Sequence, residues 1–572
     1  MSETRLECNF LLGGISRLSQ QARDAWSTIQ YACQSVVFLD VQSLRKHATS
    51  ALAMLNDTRT QLVFIRVVVL ILHFIGPACT AYTAALARRA LASRQWPSAT
   101  VLNVWCIAET AFYFFFLWYR RHLQKEAIHP PLRTKEERKL LFEKVRSEIH
   151  DPERFLSGWF RGAKIEDIGR EDLKEFLSWA FWEGRSGDAD EQELEELVSK
   201  VEKMMRRTFP PGRGTAKSLR LTLDPIDMEC RSLLWYTIIM LVDTISHVRL
   251  LAYGIKYHSS FKSSFAVFPP RPLAAATSSA KSPAQDLAYW VRPHTSKTRR
   301  PIVYLHGIGV GLHPNVEFLH ELDLALNSST DPEDRVGILS LEILQISSRL
   351  THSILTRAEF LEQFAAILDA HEWDKIVLLS HSYGSVLSTH ILTDPALSAR
   401  VSSVLLVDPV TILLHMPDVA YNFTVREPKM ANEWQLWYFA SKDPGVAHTL
   451  GRHFHWSQNL LWRSRIMELV DRGMKVTASL ARRDLIVDTE SVGAYLMEGT
   501  LSDPVLVKND QGEEKMELRM EKDDEHWKKR QWSGKKGLEV LWWDDLDHAQ
   551  IFDTKERREK LVKVLVEYSK AR

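Results

Sequence analysis

From about residue 286 onward, short apolar runs rich in β-branched residues recur: "LAYWVRP", "PIVYLHG", "VGILSLE", "KIVLLSH", "VSSVLLVDPV", "MKVTASLA" and "LEVLWWDD". Between several of them lie segments with apolar positions at helical spacing, such as "RAEFLEQFAAILDAHEW" and "SVLSTHILTD". A strand with no polar alternation must be buried on both faces, and interleaved helices supply the cover. This pattern constrains the chain most. It predicts an α/β domain over 286–572, a mostly parallel sheet with helices on both faces. Two stretches break the alternation: 411–473, long and aromatic, and a charged insertion at 503–536.

At 572 residues the chain exceeds one ordinary core, and the first half reads differently. Val67–Ala87 carries no formal charge over 21 residues and is bounded by Arg66 and Arg88–Arg89. A span of this length crosses a hydrocarbon core of about 30 Å. Thr100–Tyr119 is apolar and aromatic, ending on Trp118, Tyr119, Arg120 and Arg121, where an interfacial belt belongs. Its weak point is Glu109, which needs a partner or a proton inside the pair. The reading is therefore two transmembrane helices within 61–121, after a polar helical segment over 1–60. The first residues, "MSETRLECNFLLGG", lack the basic region and continuous apolar core of a secretory signal. Arg59, Arg66, Arg120, Arg121 and Lys125 outnumber the basic residues of the connector (Arg88, Arg89, Arg94), which favours cytosolic termini. An intracellular membrane is expected, with the 286–572 domain facing the cytosol.

Residues 122–268 are expected to be a helical region. "DPERFLSGWF" and "KEFLSWAFW" place aromatics at three- and four-residue intervals, the mark of packing. An apolar piece at 233–242 is followed by Asp243, His247 and Arg249, too short to cross, and is expected as a core or interfacial helix. "PPRPLAAATSSAKSPAQ", 269–285, reads as a linker. Formal net charge is +1, from 73 basic and 72 acidic residues, which gives no electrostatic case for nucleic acid. The five cysteines, Cys8, Cys33, Cys79, Cys106 and Cys230, lack metal-ligand spacing.

The chemistry concentrates where the run at 375–381 ends. "SHSYG" puts Ser382 at a strand end, flanked at two residues by Ser380 and Gly384, small enough for a tight strand–turn–helix elbow. Glycine is usual at both flanks, so Ser380 is a departure. A serine needs a base, and the base a carboxylate to orient it. Asp484 follows "MKVTASLA" and His548 follows "LEVLWWDD", each just past a strand. Asp408 in "LLVDPV" and Asp488 are alternative acids, whereas Asp547 faces elsewhere if His548 faces the site. The developing oxyanion needs backbone donors. The Tyr383 amide is one, and "YLHGIGVG" supplies the other from Ile308, with Gly309 as second choice. His381 is expected as a structural or pocket-wall residue, and with His306 and Gly307 it forms the candidate substrate-binding set. His313 either lines the pocket or caps the next helix. His453 and His455 in "RHFHW" have a spacing compatible with metal, but no third ligand is evident, so an aromatic packing role and no metal are expected.

Taken together, the loop at His306–Gly309, the elbow at Ser380–Gly384, Asp484 and the late His548, in that chain order, resemble the α/β-hydrolase superfamily. The tethered layout, with "HPPLRTKEERKLLFEKV" between the spans and the catalytic half, is similar to fungal membrane-tethered members. The resemblance implies a lid, for which 411–473 is the candidate, and no cofactor. It points to a serine hydrolase acting on an ester, or a thioester or amide, and implies no substrate; the aromatic lid and the two spans together suggest a membrane-anchored enzyme for an apolar, lipid-like small molecule. Acyl transfer on the same fold and a non-catalytic membrane-tethered scaffold stay open as alternatives.

Overall fold

The computed structural model describes residues 58–183, 189–328, 331–498, 505–508, 514–517 and 526–570. The polar helical segment expected over 1–60 lies almost wholly outside the described residues, as does much of the 503–536 insertion. Of that insertion, a hairpin (Val505–Lys508 with Glu514–Glu517) and a short helix that buries Trp527 are described.

One nine-stranded sheet organises the C-terminal half. Its strands are β1 (Lys256–Ser259), β2 (Ala280–Lys281), β3 (Ala288–Arg292), β4 (Ile302–Leu305), β5 (Ile338–Glu342), β6 (Ile376–His381), β7 (Val401–Val407), β8 (Lys475–Ala481) and β9 (Leu538–Trp543), in the spatial order β9-β8-β7-β6-β4-β5-β3-β1-β2. From β5 across to β9 every pairing is parallel, while β3 runs antiparallel to β5 and β1 antiparallel to β3. Every residue of β4 is buried, as is every residue of β6, which is why these runs carry no polar alternation. After β4 the chain moves outward to β5, then returns past β4 to form β6. This reversal opens a crevice at the carboxyl ends of β4 and β6, the place where open α/β sheets present their sites.

The sheet begins well before residue 286, and 269–285 is not a linker. It holds a helix at Pro272–Ala276 and β2, and together with β1 it forms one edge of the sheet. Arg271 is buried there, bidentate to Glu342 (2.6 and 2.8 Å) and bonded to Asp243 at 3.0 Å. Burial works against the Glu342 charge, but the Arg271 guanidinium outweighs it and holds the carboxyl below its ordinary value. Edge strands as short and polar as "KYHS" and "AK" leave no apolar run to read.

Among the described residues, three helices are long and apolar enough to cross a membrane: α1 (Arg59–Ser93), α2 (Val101–Leu123) and α3 (Leu233–Ala252). α1 and α2 pair through Tyr82 Oη to Asn103 (2.7 Å) and Thr83 to Thr110 (3.1 Å). Glu109 finds its partner outside that pair. Its carboxylate oxygens accept the Leu233 and Leu234 N–H groups (2.7 and 3.2 Å), capping the positive end of α3.

α3 is twice the length of the apolar piece at 233–242 because the charges that were expected to end it have partners. Asp243 meets Arg271 and Arg349, His247 meets Thr277 at 2.6 Å, and Arg249 pairs with Glu317. That polar face docks on the sheet domain. The opposite face leaves Leu234, Ile238, Leu241, Ile245 and Val248 exposed, a stripe at four- and three-residue steps.

Helices at Lys135–Ser147, Pro152–Trp159 and Arg170–Trp182 bury their aromatics, and the helix Glu191–Met205 its aliphatic side chains, in one core with the segment between β7 and β8. That segment is a run of helices from Asp418 to Asp471. Trp159 Nε1 donates to the His415 carbonyl and Trp456 Nε1 to the Ala180 carbonyl, both at 3.1 Å, stitching the two layers. α1 also reaches this cap. Ile65 and Val69 pack on Ala431 and Tyr438, and the Arg66 guanidinium lies 5.5 Å over the Trp434 ring.

Candidate active site

Ser382 follows β6 at φ +51°, in the left-handed region, and the chain enters helix α4 (Gly384–Thr393) two residues later. The turn is this tight because Gly384 has no side chain. A Cβ there would stand 2.1 Å from the Leu305 carbonyl oxygen, at the end of neighbouring β4. The Ser382 N–H is tied to Val407 (2.9 Å), and its carbonyl accepts the Ser385 hydroxyl (2.6 Å). Ser385 in turn accepts the Val410 N–H at 3.1 Å, binding the elbow to the chain after β7. Ser380, the departure from glycine, is fully buried in the strand.

His548 stands on the loop after β9. Its Nε2 lies 2.8 Å from Ser382 Oγ and its Nδ1 2.7 Å from Asp484 Oδ2. In the neutral ring Nδ1–H donates to the carboxylate, leaving Nε2 to accept the serine proton. The other Asp484 oxygen accepts the Ile486 and Val487 N–H groups (2.8 and 2.9 Å), which fixes the carboxylate plane. Burial disfavours the imidazolium, but the Asp484 carboxylate, joined by Asp408 and Asp547, more than reverses this and pushes His548 up to about 9.

The competing carboxylates are engaged elsewhere. Asp408 Oδ2 accepts the Ala549 N–H at 2.9 Å, close behind the imidazole, and burial pushes its carboxyl up to about 7. Asp488 caps the next helix through Ser491 and pairs with Arg154 at 3.0 Å. Asp547 accepts the Leu485 and His548 N–H groups and the Asn432 amide of the cap, bracing the acid loop from behind.

The loop after β4 comes close to the nucleophile. A Cβ on Gly307 would lie 2.8 Å from Ser382 Cβ and 2.9 Å from His381 Nδ1, so only glycine lets the loop in. Of the two amides nominated from this loop, Gly309 is taken, donating to the Ile346 carbonyl at 3.1 Å. Ile308 is therefore the donor candidate here, beside Tyr383 at the start of α4.

The two histidines counted as substrate-binding have other places. His306 is fully buried and pins the loop, with Nε2 accepting the Ile343 N–H (3.0 Å) and Nδ1 donating to the Gly307 carbonyl (2.8 Å). His381 is buried with its ring 5.0 Å from Phe552 and 5.6 Å from the His548 ring, and burial drives its pKa well down, so it backs the base as a neutral ring. His313 bonds Ser246 of α3 at 2.7 Å. His453 and His455 part company. The His453 ring lies 5.1 Å from His448, whereas His455 Nδ1 lies 3.1 Å from Glu183 Oε2.

Residues 300–479 match the sequence family described as the alpha/beta hydrolase fold. With the strand order and the crevice at its switch point, that gives the C-terminal half of this chain the α/β-hydrolase fold. A search of curated proteins finds no match. Solved structures similar to it include a membrane phospholipase A described as a bacterial virulence factor (14% identity, 59% of this chain and 94% of that one, TM-score 0.33). Two carboxylesterases of Bacillus subtilis are also similar. One is CesB (10% identity, 57% and 98%, TM-score 0.31) and the other the naproxen esterase (12% identity, 57% and 96%, TM-score 0.31). Likenesses this distant carry nothing about substrate. The fold is that of a hydrolase.

Proposed function

We propose that this protein is a membrane-anchored serine hydrolase that cleaves an ester of an apolar, lipid-like substrate. The observation that carries the reading is the hydrogen-bonded line Ser382 Oγ, His548 Nε2, His548 Nδ1, Asp484 Oδ2, at 2.8 and 2.7 Å. Ser382 Oγ attacks the carbonyl carbon while His548 takes the hydroxyl proton, and Asp484 stabilises the imidazolium. The oxyanion accepts the Tyr383 and Ile308 N–H groups. Collapse expels the alcohol with the proton from His548, and a water activated by the same nitrogen releases the acid.

The apolar substrate class is inferred from surroundings. Val310, in the loop that carries Ile308, packs in one cluster with Phe116 of α2 and Trp235 and Tyr236 of α3. Lipid around α1 and α2 would cover exposed side chains such as Phe64, Leu70, Ile71, Phe74, Leu102 and Phe114. The helices at 418–471 serve as the lid, and the basic flanks set the catalytic half on the cytosolic side.

A fluorophosphonate probe tests the core of this reading. Wild type is expected to label and Ser382→Ala not. A p-nitrophenyl ester series should then rise in kcat/KM with chain length. A folded wild type that never labels would end the enzyme reading, and a falling series would end the lipid-like one.

A further inference from the structure

Outside the active site, three donor side chains from distant parts of the chain meet in one buried place. His129 lies on the connector after α2, Glu183 ends the helix Arg170–Trp182 at φ +58°, and His455 precedes the helix Trp456–Asn459. Glu183 Oε2 lies 3.1 Å from His455 Nδ1 and 3.7 Å from His129 Nδ1, and one donor atom from each residue falls within 4.8 Å of the others. The side chains are only 6% (Glu183), 9% (His455) and 12% (His129) exposed.

We propose that His129, Glu183 and His455 bind a zinc ion that ties the connector after the second membrane helix to the helical layer and the cap. Four-coordinate zinc with bonds of about 2.0–2.1 Å sets its donors roughly 3.3 Å apart. The shorter observed edge fits this, and the longer one closes with a shift of about 0.4 Å. Two imidazoles and a carboxylate make a zinc donor set, with the fourth position left to water. Oxygen-seeking magnesium or calcium has too few oxygens here.

The surroundings match a ligating carboxylate. The Arg133 guanidinium faces Glu183 Oε1, the oxygen turned from the imidazoles, at 3.9 Å, and is itself anchored on Ser457 Oγ at 2.7 Å. The competing arrangement is a plain ion pair with one protonated imidazole. It needs no metal, and metal analysis separates the two.

The full chain is purified in detergent, stripped with a chelator, reloaded with equimolar zinc or cobalt(II), desalted and analysed. One metal per chain is expected, with the intense visible bands of tetrahedral cobalt, displaced by zinc. Glu183→Gln, and independently His129→Asn, should weaken zinc binding tenfold or more, with fluorophosphonate labelling of Ser382 reporting that each variant is folded. Wild type that retains no metal overturns the proposal. So does metal retained equally by folded Glu183→Gln, or cobalt bound without tetrahedral bands.

Discussion

A methyl group added at Gly384 would meet the Leu305 carbonyl oxygen at 2.1 Å and the His306 carbonyl oxygen at 3.0 Å, both backbone atoms with no room to yield. Gly384→Ala should therefore push α4 off β4. We expect a loss of about 2–3 kcal/mol of stability in chemical denaturation and at least a hundredfold slower fluorophosphonate labelling. Ser380→Gly is the contrasting case. The Ser380 hydroxyl is buried with no hydrogen-bond partner, so its removal strands nothing, and labelling should stay within about threefold of wild type. The base offers a second test. Only neutral His548 accepts the serine proton, so activity falls as pH drops through its pKa. Raised to about 9 from an ordinary 6.5, that pKa puts the acid limb of kcat/KM on the alkaline side. Asp408 is ionised above about 7 and favours the imidazolium from behind. Asp408→Asn should move the limb to lower pH in a pH–rate profile on a soluble ester, and a shift to higher pH would contradict the charge arrangement.

At the scale of elements, the segment around Arg271 decides more than its composition suggests. Removing the guanidinium leaves Glu342 buried with only neutral donors, Tyr257 and Trp290. Arg271→Met should cost about 3–5 kcal/mol, and Arg271→Met with Glu342→Met should recover most of it, because two well-packed apolar side chains need no charge partner. Thermal unfolding of the three proteins checks this. The same segment shows where reading from sequence stops. All seven apolar runs are strands (β3 to β9), and Ser382, Asp484 and His548 could be picked out because each stands on the turn or loop that follows one of them. β1 and β2 were not, being short, polar edge strands. Nor was the full length of α3. Asp243 and Arg249 look like the end of a helix unless Arg271, Arg349 and Glu317 are known to be waiting for them. The fate of Gly309 was equally hidden, since its acceptor, Ile346, belongs to a single 3-10 turn (Leu344–Ile346) too short to leave a pattern in the sequence. His455 was noticed, but Glu183 stands 272 residues away along the chain.

For the whole molecule, the question is how a sheet domain with a relay at its strand ends meets substrate held in a bilayer. On the proposed reading α1 and α2 supply the anchor, but an anchor alone would leave the sheet domain free to stand off. α3 removes that freedom: its polar face is bonded into the sheet domain through Asp243, His247 and Arg249, while Leu241, Ile245 and Val248 look outward, each more than half exposed. On the same reading the stripe faces lipid, and the N-terminus of α3 is fixed to Glu109 within α2. Replacing Leu241, Ile245 and Val248 together with lysine leaves the membrane anchor and the relay in place. Hydrolysis of a short soluble ester should then be unchanged within about twofold, whereas kcat/KM for a long-chain ester embedded in vesicles should fall by an order of magnitude or more, since each lysine replaces about 1 kcal/mol or more of apolar burial. Equal rates on both substrates would mean that the stripe does not seat the domain on lipid, and that substrate reaches Ser382 by another face.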